Sequence, residues 1–232
     1  MEINYRNIRN ATSHLWFERA LSEHLCMLIS PLFSIYFIKR NIKPNTITLF
    51  MVISGIIAPI MFMFNSIHVK CIASVLFLLW FIFDCSDGEV ARFTQTFSKH
   101  GRDLDYLSHV SCHSLFIMSM WKLYALHSEY LLPLSIFFFS LLAAELFNRI
   151  CVLYTVYVFK PDVNLERPNR LLLNFRINVG YFPNFVVFFP CIYCISTILG
   201  FDVFILFMAL FSFYIILMLK DYFSMLVKFY KS

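Results

Sequence analysis

Apolar residues dominate the chain in runs long enough to cross a membrane, and short polar connections separate those runs. Crossing the hydrocarbon layer as a helix takes about 20 predominantly apolar residues. Residues 47–64 form a clean run, a short polar turn follows at 65–70, and 71–83 continue apolar as far as Asp84. A third helix follows Gly101 and becomes apolar from Leu115 to Leu126. Three more runs cover 131–159, 182–199 and 203–219, making six spans. Upstream, 25–38 is shorter, carries Pro31 in its middle and ends on Lys39, Arg40 and Lys43. That pattern predicts an amphipathic helix in the membrane interface in preference to a seventh span. The expected fold is an all-α integral membrane protein. A cytoplasmic N-terminus with its juxtamembrane amphipathic helix (1–43) precedes a six-helix membrane domain (44–232).

Composition narrows the class. Of 232 residues, 60% are hydrophobic and 14% charged, against about 45–50% and about 25% in an ordinary soluble domain. A disordered chain, a collagen-like repeat and a basic nucleic-acid-binding domain are excluded, so no nucleic-acid partner is expected. The net charge of +5 suggests a preference for anions until its distribution is read. Arg6, Arg9, Arg19, Lys39, Arg40 and Lys43 precede the first span, and Arg92, Lys99 and Arg102 lie between the second and third. Lys160, Arg167, Arg170 and Arg176 lie between the fourth and fifth, while Lys220, Lys228 and Lys231 follow the sixth. The opposite connections hold only Lys70 and, nearby, Lys122. By the positive-inside rule both termini face the cytoplasm. Most of the charge is therefore a topological signal. The polar, basic first residues predict no cleavable leader. Seven scattered cysteines give no disulfide framework, and Cys191 and Cys194 read as small apolar residues packed in a span.

The stretch DCSDGEVARFTQTFSKHGRDLDYLSHV, from Asp84 to Val110, carries the chemistry. Asp84, Asp87 or Gly88, and Ala91 recur at helical spacing, which puts two carboxylates and two small residues on one face. Asp105 and His109 sit four apart on the next helix and share a face. Gly101 lies in the connection that lets the two helices pack antiparallel. Three acids and an imidazole then converge at the cytoplasmic boundary. Carboxylates at membrane depth cost about 2.5–3.5 kcal/mol each at a helix centre, and mutual repulsion adds to that until protons or cations neutralise them. A divalent cation answers both, since Mg²⁺ takes one or two carboxylates plus substrate phosphates. Gly88 and Ala91 leave room for a ligand near the backbone. Arg92 offers a planar fork to a phosphate or carbonyl. The alternative is a salt-bridged loop in which Arg92 and Arg102 neutralise the acids, but a loop needs no small residues in register with them.

The stretch resembles the CDP-alcohol phosphotransferases (CDP-alcohol phosphatidyltransferases), whose pattern is D-x-x-D-G-x-x-A-R, about eight residues, then G-x-x-x-D-x-x-x-D. Asp84, Asp87, Gly88, Ala91, Arg92, Gly101 and Asp105 match it with the right spacing. Upstream, Pro44, Asn45 and Thr48 look like the P-N-x-x-T that opens the family's first span. One departure stands out: the last Asp of the pattern falls at His109. The resemblance implies a metal, Mg²⁺ or Mn²⁺, held by Asp84, Asp87 and Asp105. It implies a nucleotide lined by Asn45, Thr48, Gly88, Ala91, Arg92 and Gly101. The group at 109 would take the proton from the acceptor hydroxyl, which attacks the β-phosphorus of a CDP-linked alcohol and releases CMP. His serves as a base, with a reference pKa of about 6.5 against about 3.9 for Asp. As a nitrogen ligand it suits Mn²⁺ better than Mg²⁺. The resemblance also implies a hydroxyl acceptor on a lipid or glycan, contact with membrane lipids, and a homodimer.

Other residues have a second reading each. Glu145 and Arg149, four apart inside the fourth span, form either an internal ion pair or an acceptor site, with Asn148 beside them. Arg176, nearest a span among Arg167, Arg170 and Arg176, either marks the cytoplasmic side or binds an acceptor phosphate. His113 extends the Asp105–His109 face toward a transition-metal site, or simply packs. Two rival classes use the same acids: a divalent-cation transporter and a non-catalytic membrane scaffold. Acids gathered at one face, and no inverted repeat, speak against the transporter.

Overall fold

The computed structural model describes residues 3–12, 19–98, 100–126, 128–157 and 178–231. Arg176, together with Lys160, Arg167 and Arg170, lies outside the described residues. The described residues form eight helices and no strand. These are α1 (Tyr5–Thr12), α2 (Leu21–Lys39), α3 (Pro44–Phe62), α4 (Ile67–Thr94), α5 (Gly101–Tyr124), α6 (Leu131–Tyr157), α7 (Phe182–Leu199) and α8 (Phe204–Lys231). Local chemistry sets several ends. Pro44 opens α3 at its first turn, where a missing N–H costs nothing. Gln95 closes α4 in the left-handed conformation (φ 54°), and Gly200 closes α7 in the same way (φ 78°).

By length and composition six of these helices can cross a membrane: α2, α3, α4, α6, α7 and α8. The number is the expected one, but α2 stands where α5 was expected. The 24 residues of α5 reach about 36 Å, ample for a span. Its hydropathy is low because it turns polar residues inward: Ser108, His109, Cys112, His113 and Ser119 are all buried. α2 is the inverse of a surface helix. Ser22, Ser30 and Ser34 face the bundle, while Leu21, Leu25, Leu28 and Leu32 are exposed.

The core is aromatic. Trp80, Phe77, Phe81 and Phe116 pack with Phe182, Phe207, Phe211 and Tyr214 between α4, α5, α7 and α8. α3 reaches this core because Gly55 has no side chain: a Cβ there would sit 2.7 Å from Trp80 Cδ1 and 3.2 Å from Cys112 Cβ. α7 runs antiparallel to α4. The Tyr181 ring, at its start, lies 6.3 Å from Phe81, while farther along Cys194 Sγ lies 3.4 Å from Ser74 Oγ. The outer surface is apolar too, with Leu132 71% and Ile205 80% exposed, as a lipid-facing surface requires.

Candidate functional site

α4 has 28 residues and is about 42 Å long, against a hydrocarbon core of about 30 Å. Its last turns therefore have length to spare for a polar end, and the helix runs unbroken through Asp84, Asp87, Gly88 and Ala91. Beside that end opens a cavity of about 510 Å³. Asn45, Thr48, Asp84, Asp87, Gly88, Ala91, Arg92, Gly101 and Asp105 all line it. The residues singled out from the sequence thus come together, drawn from α3, α4 and α5. His109 is 8% exposed and lies at the edge of this group, against the two carboxylates.

His109 Nε2 is 3.5 Å from Asp84 Oδ1 and 3.5 Å from Asp105 Oδ1. One ligand atom from each of Asp84, Asp105 and His109 falls within 4.8 Å of the others, a spacing that can hold a metal ion. Asp105 Oδ1 and His109 Nδ1 are buried without a hydrogen-bond partner. Buried polar atoms are normally satisfied, so Asp105 Oδ1 beside the Asp84 carboxylate fits a cation. Two oxygens and one imidazole nitrogen make a mixed donor set. Asp87 stands apart from this trio, with its Oδ2 accepting from Thr48 Oγ1 at 2.6 Å. Asn45 Nδ2 donates to Ser98 Oγ at 3.0 Å, tying the start of α3 to the α4–α5 connection.

The two glycines differ. A Cβ at Gly88 would meet Arg92 Nη2 at 2.9 Å, so the guanidinium folds back over the glycine. At Gly101 the nearest atom would be Ser98 Cβ at 3.5 Å, an ordinary contact. The ring of His109 is set edge-on to Trp80 (5.0 Å) and to His113 (5.4 Å).

A sequence model of the CDP-alcohol phosphatidyltransferase family matches residues 41–227. The chain belongs to this family. No curated protein matches it. As a member of the CDP-alcohol phosphatidyltransferases it is a transferase of a membrane-embedded class, acting between a CDP-alcohol and an alcohol. All the cavity residues named above fall within the matched part, whereas α1 and α2 fall before it.

A second polar cluster lies beneath the site. His113 Nδ1 is 2.6 Å from Glu145 Oε1, and Arg149 Nε donates to the same oxygen at 2.8 Å. The Tyr214 hydroxyl donates to Glu145 Oε2, and Asn148 Nδ2 donates to the Tyr214 oxygen at 3.2 Å. Glu145 is 1% exposed. The pair that the i, i+4 spacing announced is therefore an internal ion pair with three further partners: Asn148, three residues on, and two that the sequence did not reveal because they lie 32 and 69 residues away.

One buried acid went unassigned. Glu89 follows Gly88 in the motif, is fully buried, and accepts from Ser30 Oγ and Ser34 Oγ of α2, each at 2.6 Å. The available signal was a lone Glu amid motif positions and two serines four apart in an apolar helix.

Proposed function

We propose that the protein transfers a substituted phosphate or phosphonate group from a CDP-linked alcohol to an acceptor hydroxyl and releases CMP. The observation that carries this reading is the Asp84–Asp105–His109 convergence, with its orphaned carboxylate oxygen, at the edge of a cavity lined by the nucleotide-motif residues. Asp84 and Asp105, helped by Asp87, would hold a divalent cation, Mg²⁺ or Mn²⁺, leaving His109 Nε2 beside them as the base. Held by these carboxylates, such a cation would neutralise charge on the diphosphate and make CMP a better leaving group. Arg92 swings off Gly88 to hold a phosphate oxygen, and Thr48 keeps the Asp87 carboxylate in place. Asn45, Gly88, Ala91 and Gly101 leave a smooth wall for the nucleotide. His109 accepts the proton of the attacking hydroxyl, its ring held by Trp80 and His113. The acceptor hydroxyl belongs to a lipid or glycan, and the site opens to the cytoplasm. The family resemblance adds a homodimeric assembly. Glu145, saturated by its own partners, supports the site from below, and Arg149 remains the acceptor-binding candidate of that pair.

The deciding measurement is CMP release from CDP-alcohols in Mn²⁺ and in Mg²⁺, with Asp87→Asn as the inactive control. His109→Ala lowers the rate by about 10²–10⁴-fold, the usual worth of a general base. His109→Asp restores activity and moves the metal preference toward Mg²⁺. Full activity in the Ala variant removes His109 from the reaction. Metal uptake into proteoliposomes without CMP release replaces the transferase by a cation transporter.

A further inference from the structure

The cavity has a third wall that the family motif does not describe. It comes from Glu23 and Met27 of α2 and from Arg19 just before that helix, which line the cavity together with the motif residues. This helix precedes the part of the chain that matches the family. Glu23 is held in place from two sides. The Tyr181 hydroxyl donates to Oε1 at 3.0 Å, and the Ala20 N–H donates to Oε2 at 3.2 Å. An ionised carboxylate has about four lone-pair positions, so two bonds leave acceptor capacity on a carboxylate that lines the cavity. Arg19, on the same wall, lays its guanidinium against the Met27 sulfur.

A fixed carboxylate selects by charge and by hydrogen-bond polarity. It accepts from N–H and O–H groups, attracts cations and repels phosphates. A phosphorylated alcohol facing Glu23 would set like charges together. An ammonium group or a set of neighbouring hydroxyls would complete the bonds that Glu23 leaves open. We infer that Glu23 is a specificity-determining residue for a small polar alcohol, which presents its ammonium or hydroxyl groups to this carboxylate. The inference rests on the transferase reading above. The alcohol reaches Glu23 as the group carried on CDP, which goes with the lipid or glycan acceptor proposed above, or, where CDP instead carries the lipid, as the free acceptor.

The test uses the full chain purified in detergent with Mn²⁺, and reads binding by calorimetry. In the donor arm, CDP-ethanolamine and CDP-glycerol are compared with CMP. In the acceptor arm, ethanolamine and glycerol are titrated into protein saturated with CMP, with glycerol 3-phosphate as the anionic comparison. One arm should show the interaction, and Glu23→Gln should weaken it about tenfold, the scale of a lost charge-assisted hydrogen bond. CMP itself should bind within about twofold of the parent. Glu23→Asp, which keeps the charge one methylene short, should fall between. Tyr181→Phe should weaken the same arm without moving CMP. The inference is overturned if both arms are unchanged in Glu23→Gln, or if glycerol 3-phosphate loses as much. It is also overturned if CMP binding falls with them, because Glu23 then only holds the α2–α7 wall. Parent protein that fails to bind CMP with Mn²⁺ removes the transferase reading itself, whereas normal CMP binding with no Glu23 effect removes this inference alone.

Discussion

Glu145 shows how a buried charge is tolerated in so apolar a chain. Its oxygens receive His113, Arg149, Tyr214 and Asn148, so that no lone pair is wasted in a medium without water. Truncating it to alanine leaves Arg149 with its partner gone, and breaking a buried pair in this way costs about 3–5 kcal/mol. Glu145→Ala should therefore lower the thermal unfolding temperature of the detergent-solubilised protein sharply. Glu145→Gln, which keeps the shape and one acceptor oxygen, should lower it less. Equal melting of all three proteins would show that the cluster contributes nothing to stability. Glu89 is held differently, its carboxylate accepting from two serine hydroxyls, with no ion pair to it among the described residues. At this scale the sequence was legible wherever partners are close along the chain. Asp105 and His109, or Glu145 and Arg149, share a helical face at a spacing of four. Thr48 with Asp87, 39 residues apart, was placed in one site only by the family resemblance. Ser30 and Ser34 with Glu89 had no such guide.

Among the elements, α3, α4 and α5 form the rigid frame of the site, and Gly55 is the point where they come closest. A Cβ there would lie 2.7 Å from Trp80 Cδ1 and 2.9 Å from Trp80 Nε1, closer than real contacts allow. Trp80 cannot simply step aside, since its Nε1 donates to Ser108 Oγ at 3.2 Å and its rings border His109 and His113. Gly55→Ala should thus destabilise by about 1–3 kcal/mol, the usual cost of overpacking. It should also reduce CMP release by displacing His109, whereas alanine at the exposed neighbour Ile56 should do neither. An unchanged melting temperature in Gly55→Ala would mean that the helices are free to part. Element identity was largely legible, because apolar runs of span length leave few alternatives to a helix. The two helices that length and composition alone rank differently from the pattern reading are those whose polarity faces inward. α5 hides serines and histidines at the centre, and α2 presents leucines to the lipid and serines to α4, so hydropathy alone underrates one and overrates the other.

For the whole molecule the question left by α2 is topological. If α3 to α8 each cross once, six crossings return the chain to its starting side, and a crossing by α2 would make seven and separate the termini. Two independent observations argue against that crossing. Basic residues flank α2 on both ends, Arg6, Arg9 and Arg19 before it and Lys39, Arg40 and Lys43 after it. By the positive-inside rule both ends then favour the cytoplasmic side. Packing points the same way. The first residues of α2 bond to the start of α7 and the segment just before it, with Leu21 N donating to Asn178 Oδ1 and Ser22 N to Asn184 Oδ1, each at 2.9 Å. The last residues of α2 lead into Pro44 at the start of α3, beside the site. Its side chains meet α4 at Phe83, Ser86 and Glu89, the site end, and not along the half that carries Lys70 and Ser74. We propose that α2 lies across the site end of the bundle, with its leucines toward lipid, and closes one wall of the cavity. Epitope tags at the two termini should both resist protease in sealed cells and both be cut after permeabilisation. An N-terminal tag cut alone would make α2 a true span and place Arg6 and Arg9 outside, whereas a C-terminal tag cut alone would make it a span and move Glu23 and its site to the outer face.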